Sequence, residues 1–116
     1  MTPECAATIF HVKNVDASIA YYTTVVGFTL DFRYNDIAGL EYGPVLIYLS
    51  GPAQDVKKEI GGGTMYIFCD EIDAYYEEIV AKGAIISVPI DDRQYGMRDF
   101  AMQDIDGNII TFGKSI

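Results

Sequence analysis

The chain has no tryptophan, one histidine, two cysteines and four prolines. A lone imidazole, His11, cannot by itself hold a metal ion, which needs several lone-pair donors at about 2 Å. Cys5 and Cys69 are too few and too isolated for a CxxC metal site or a disulfide framework, and they fit free thiols in a reducing compartment. Cations are also scarce. Eight Lys and Arg stand against seventeen Asp and Glu, a net charge of −9. Nucleic acid is a poor partner for such a surface, because binding needs basic side chains to displace counterions from phosphates. No apolar run approaches the ~20 residues of a membrane-spanning helix, and the first residues lack the basic flank and apolar stretch of a signal peptide. A cytoplasmic protein without membrane or nucleic-acid partners is the expectation.

What is present is a globular balance: 116 residues, 50% hydrophobic and 22% charged, with nine Tyr and six Phe. A chain this long buries roughly two thirds of its unfolded surface, enough for a core without staples. One domain, 1–116, is expected, divided into a first module (6–50), a linker (51–63) and a second module (64–114). Strand patterns fall at 6–13, 28–35, 37–42 and 45–50, with a helix after Asn14 that carries Val15, Ile19, Tyr22 and Val26 at helical spacing and stops at Gly27. The second half repeats the order. Strands are expected at 64–69, 84–89, 97–103 and 108–114, and a helix with Ile72, Tyr75, Tyr76, Ile79 and Val80 on one face ends at Lys82-Gly83. Val15-Asp16-Ala17 and Ile72-Asp73-Ala74 open the two helices at a matching offset, so the chain reads as a weak βαβββ repeat. The triplet Gly61-Gly62-Gly63 lacks a following Lys-Ser/Thr and leads into a strand, which favours a flexible linker over a phosphate loop. Each module has one helix for one sheet face. The other face must be buried by something else or enclose a cavity.

Tyr95 to Gly113 is the most specific stretch. Asp106-Gly107-Asn108 is hairpin chemistry between two strand patterns. Together with Val12-Lys-Asn-Val-Asp-Ala-Ser-Ile-Ala-Tyr-Tyr22, Val25-Val26-Gly27-Phe28, Tyr95-Gly96, Phe100-Ala101 and Asp104-x-Asp106-Gly107-Asn108, it resembles the vicinal-oxygen-chelate superfamily of glyoxalases, dioxygenases and fosfomycin- and bleomycin-resistance proteins. The bleomycin-resistance branch is the nearer likeness. Two departures stand out: Ile105 replaces a usual Pro, and Asn14 replaces a usual Asp that caps a helix equally well. The resemblance implies an α+β fold of two βαβββ modules whose sheets curl into a cup, commonly completed by a second subunit as a homodimer.

Enzymes of that superfamily use a divalent metal held by cup-facing residues on the first and last strands of each module. The family spacing puts these positions at Ala7, Tyr48, Thr64 and Thr111. None is a His or a carboxylate, and a one-residue slip would turn every side chain to the opposite face. No metal and no other cofactor is expected, and no catalytic residue. Asp104-Ile-Asp106-Gly-Asn108 lacks the Gly and the bidentate Glu of a calcium loop at the required offsets. The cysteines lack a neighbouring His, and no nucleophile elbow surrounds Ser18 or Ser50.

Strand parity assigns His11, Tyr48, Tyr66, Phe68, Phe100, Met102 and Thr111 to the cup wall, with Tyr95 and Arg98 near its rim. Tyr95 stands where a Trp can occur in a drug-binding relative. For any single aromatic, core packing is the plain alternative; as a set they suit a planar or cationic ligand, because aromatic faces and acidic groups both attract cations. Three functions remain open: a metal-free small-molecule binder, for example of a bleomycin-type antibiotic; a metal-dependent lyase, isomerase or dioxygenase of the same superfamily; and an interaction module without a ligand.

Overall fold

The computed structural model describes residues 1–55 and 58–116. The first module runs β1 (Thr8–His11), α1 (Val15–Tyr21), β2 (Thr29–Tyr34), β3 (Ile37–Tyr42) and β4 (Val45–Ser50). The second runs β5 (Thr64–Phe68), α2 (Ile72–Ala81), β6 (Ile85–Asp92), β7 (Met97–Gln103) and β8 (Ile109–Ser115). Each module forms its own four-stranded sheet, in the orders β1-β4-β3-β2 and β5-β8-β7-β6. The first strand of each pairs parallel with the last, and the remaining pairs are antiparallel. This is an α+β fold of two βαβββ units. Pro89 lies in β6, an edge strand, where its missing N–H removes no interior hydrogen bond.

Local chemistry explains the helix boundaries. The Asn14 side chain accepts a hydrogen bond from the Ala17 N–H at 2.9 Å, capping α1 as its sequence position implies. After one regular stretch the helix widens into a π-helical turn over Tyr22–Val26. Thr23 and Thr24 donate their hydroxyls to the carbonyls of Ile19 and Ala20, at 2.8 and 2.6 Å. A run of β-branched residues whose hydroxyls compete for the helical carbonyls is a physical reason for the looser turn. In α2, Ile72 and Ile79 are buried, whereas Val80, expected on the same face, is exposed.

The core lies between the helices and the inner faces of the two sheets. Phe10, Tyr22, Phe28, Leu40, Ile47 and Leu49 from the first module meet Ile72, Ile79, Phe100, Met102, Ile110 and Phe112 from the second. Polar bonds join the modules across this layer. The Tyr21 hydroxyl donates to the Gln103 carbonyl at 2.9 Å, and that of Tyr75 donates to the Val26 carbonyl at 2.6 Å. The strongest tie is the turn between β7 and β8. Asp104, fully buried, accepts hydrogen bonds from the Tyr22 hydroxyl, the Asn108 amide side chain and the backbone N–H groups of Asp106 and Asn108. Asn108 also donates to the His11 carbonyl and accepts from the Gly63 N–H.

The glycine triplet is therefore packed rather than free. Gly61 donates its N–H to the His11 carbonyl, and Gly63 accepts at its carbonyl from the Ile109 N–H. A Cβ at Gly61 would collide with the Asp106 carbonyl, and one at Gly63 would press on the Phe10 ring. The expectation of a flexible tether gives way to a close backbone crossing, which only residues without a side chain permit.

Candidate functional site

Each sheet has one face against the helices and one face open. On the first sheet, the register Ile9↔Tyr48 and His11↔Ser50 places these four residues on the open face, alternating with the buried Phe10, Ile47 and Leu49. Gly39 lies opposite Tyr48 on β3, and the Phe32 ring from β2 fills the space that a side chain there would occupy. Phe32 and Tyr48 meet edge to face at 5.3 Å. A cavity of about 850 Å³ opens over Ile9, His11, Ile37 and Ser50, rimmed among the described residues by the 51–63 segment, including Gln54, Lys58 and Glu59.

The second sheet's open face is built around a carboxylate. Here β5 and β8 place Tyr66 beside Thr111 and Phe68 beside Gly113, while β7 pairs Ala101 with Thr111 and Asp99 with Gly113. Gly113 leaves room for the Tyr66 ring, whose hydroxyl would overlap any Cβ built there. The hydroxyl donates to Asp99 Oδ2 at 3.0 Å, and the Tyr95 hydroxyl donates to the same oxygen. Arg93 donates from Nε to Asp99 Oδ1 at 2.8 Å. Asp99 is only 3% exposed. Burial alone would raise its pKa, but hydrogen bonds from Tyr95, Arg93 and Tyr66 outweigh that and hold it below the ordinary value. The partners respond in the opposite sense. Burial, then the bond to Asp99, pushes Tyr66 up to about 12, and the bond to Asp99 raises Tyr95 as well. Both phenols therefore stay neutral at physiological pH.

A phenol has one O–H to donate. Tyr66 and Tyr95 both spend theirs on Asp99, so each hydroxyl oxygen has only lone pairs left to offer a ligand. The second open face thus presents phenol acceptors around a carboxylate ion-paired with Arg93, next to the exposed ring of Phe68, which lies 5.0 Å from that of Tyr66.

The structure brings together five of the residues expected to line a cup, on two separate sheets: His11 and Tyr48 on the first, Tyr66, Phe68 and Thr111 on the second. Tyr95 lies at the edge of the second. Three others lie elsewhere. Phe100 and Met102 are fully buried on the helix side, because the register pairs them with Phe112 and Ile110, and Phe100 stacks on Phe112 at 5.3 Å. Arg98 points to the same side and binds Asp73 of α2 at 2.7 Å and Asp92 at 3.1 Å. Parity read strand by strand misplaces them, since Thr111 on the open face requires its partner Ala101, not Phe100, to join it. The same count identifies Asp99, which parity alone passes over; Arg93, just past the end of β6, carries no such signal. Starting from the Asp106-Gly107-Asn108 turn and stepping back along the hairpin, Gln103↔Ile109 leads to Ala101↔Thr111 and Asp99↔Gly113.

The metal question turns on donors. Of the four positions implied by the family pattern, Tyr48, Thr64 and Thr111 lie on open faces by register, and neither they nor Ala7 supply a His or a carboxylate. Among the described residues, no three His, Cys, Asp or Glu side chains converge in a way that would hold an ion. This donor set does not fit the divalent metal of the family's enzymes.

The sequence of residues 6–112 matches the model of the Glyoxalase/Bleomycin resistance protein/Dioxygenase superfamily. The chain belongs to that superfamily. Several solved structures superpose on the chain over nearly its whole length. TioX from Micromonospora sp. ML1 is 18% identical with a TM-score of 0.84, over 98% of this chain and 100% of that one. The bleomycin-binding protein of bleomycin-producing Streptomyces verticillus, in complex with copper(II)-bleomycin, is 22% identical with a TM-score of 0.79, over 97% and 96%. A superfamily member from Sphaerobacter thermophilus reaches 0.84 at 16% identity, over 98% of each chain. At these identities the likeness is one of fold. No curated protein matches the sequence. Among the described residues of this superfamily member, no helix is long and apolar enough to cross a membrane.

Proposed function

We propose that this superfamily member is a metal-free small-molecule-binding protein that works as a homodimer, its open sheet faces enclosing an aromatic compound rich in cationic or N–H donor groups, such as a bleomycin-type antibiotic. The observation that carries the reading is the Asp99 cluster. Two tyrosine oxygens restricted to accepting, around a buried carboxylate and beside the exposed Phe68 ring, complement a flat ligand that donates hydrogen bonds. The overall charge of −9 acts in the same direction by steering cations toward the surface. The fold shared with a bleomycin-binding protein adds an example of such use.

The homodimer has its own support. Ile9 is 54% exposed and Phe68 76%, and both lie on open sheet faces. Exposed apolar side chains on sheet faces that no helix covers suit an interaction surface, and a self-complementary pairing about a twofold axis is the commonest way to cover one.

Calorimetric titration with metal-free bleomycin tests the ligand class. Binding with a Kd at or below about 10 μM is expected, and no heat up to roughly 100 μM removes that class. Tyr66→Phe keeps the ring and deletes one acceptor, so it weakens binding about 2- to 12-fold, as one hydrogen bond warrants. Sedimentation of the unliganded protein checks the dimer separately, with Phe68→Glu expected to yield monomers. Stoichiometric Ni²⁺, Zn²⁺, Mn²⁺ or Fe²⁺ in elemental analysis of the purified protein would overturn the metal-free part.

A further inference from the structure

Between the modules lies a second cavity, a cleft of about 500 Å³ that borders the second open face at Phe68. One wall is the short β3–β4 turn, with Tyr42, Gly43 and Pro44; the other is the end of β5 and the flank of α2, with Phe68, Asp70, Glu71, Tyr75 and Glu78. Its volume falls within the range that holds small organic ligands.

The composition of the lining is selective. Tyr42 and Tyr75 meet edge to face at 6.3 Å, and the Tyr75 ring is fixed by its hydroxyl bond to the Val26 carbonyl. Tyr42 packs in turn on Phe28 at 5.5 Å. Among the described residues no Lys, Arg or His lines the cleft, whereas three carboxylates do. Glu78 is engaged with Lys82 at 3.2 Å, and among the described residues neither Asp70 nor Glu71 forms an ion pair. Tyr75 and Glu78 lie along the flank of α2, while Asp70 and the N-cap Glu71 stand at its start and offset the positive end of the helix there. Aromatic walls with carboxylates at the mouth attract one kind of small molecule, an organic ammonium ion that can place its charge between the rings and the acids.

We infer that this intermodule cleft is a binding site for a small organic ammonium compound, distinct from the Asp99 cluster although Phe68 borders both. The cleft exists because the two modules close their ends differently. At the corresponding end of the first module, the five-residue turn after β7 folds over β1 and the glycine triplet. The two-residue turn after β3 is too short to do the same over β5, and the space stays open.

The test uses benzyltrimethylammonium as the probe, with backbone amide shifts of the full-length protein followed by NMR. Saturable shifts at Tyr42, Ala74 and Glu78 are expected, and Tyr66→Phe should leave them unchanged. The pair Asp70→Asn with Glu71→Gln should weaken binding about tenfold. Tyr42→Ala, which removes one ring, should weaken it about 2- to 5-fold. Ala74→Trp, on the exposed flank of α2, fills the cleft and should abolish the shifts. The inference is overturned by shifts confined to the open faces, by none at 10 mM (~10⁻² M, weaker than any useful site), by equal shifts with neutral benzyl alcohol, or by binding that survives the charge-removing pair.

Discussion

The two modules share an order of elements and differ most in one hairpin turn. After β3 the chain reverses over Gly43 and Pro44 and touches little of the other module. After β7 it takes five residues, Asp104 to Asn108, and those residues bind both modules at once. The longer turn carries a fully buried carboxylate with four donors and, among the described residues, no cationic partner. The shorter one leaves a cleft. Three added residues thus convert an open edge into the main polar tie of the molecule, and the difference teaches that the repeat is symmetric in its sheets but not in its closure.

The comparison makes unequal demands on the two turns, which stability measurements can rank. Asp104→Ala strands the Tyr22 hydroxyl, the Asn108 amide and two backbone N–H groups in the interior. A loss of about 3 kcal/mol or more is expected in urea unfolding, against the small cost of an ordinary surface change. Gly61→Ala comes next, at about 2–3 kcal/mol, since it adds a Cβ against the Asp106 carbonyl at a φ of +78°. Gly43→Ala, at a φ of +55° but with nothing within 4 Å, should cost about 1 kcal/mol from backbone conformation alone. Equal losses at Gly61 and Gly43 would show that the triplet is not packed as described.

The smallest effect concerns pH and the open face of the second module. Asp99 has a native pKa below its ordinary value. Its contribution to stability is therefore fully present above the unfolded-state value near 3.9 and is lost as pH falls through the lower native value. Asp99→Asn should flatten this part of the acid limb in a pH series of thermal melts. If this variant retains the wild-type slope, the Asp99 cluster is not organised by charge.

Much of the architecture was legible from pattern. Ile37–Tyr42, Val45–Ser50 and Met97–Gln103 match the expected strands residue for residue, because each is bounded by turn residues on both sides. The strand at 84–89 extends to Asp92, since an edge strand tolerates Pro89 and two register shifts. The site was less legible. Local alternation says that Phe100 and Met102 share a face but not which face it is. That is set across the strand by Phe112 and Ile110, a relation outside any single-strand pattern. Arg98 was misread for a related reason: its partner Asp73 lies on a helix 25 positions away, and charge alone does not reveal a tertiary pairing. Gly61 to Gly63 were read by composition, which carries flexibility as its default and is blind to what crosses above.

The turn at Asp104 also bears on how this chain came to be indivisible. Two units of the same order are interchangeable in principle, and interchangeable units can trade places between molecules. Once one unit's hairpin seats its carboxylate under Tyr22 and its amide on the His11 carbonyl, each half completes the other within the same polypeptide. Cutting the chain in the 51–63 segment should accordingly give two fragments that fold only when mixed, a complementation that an unlatched repeat would not need.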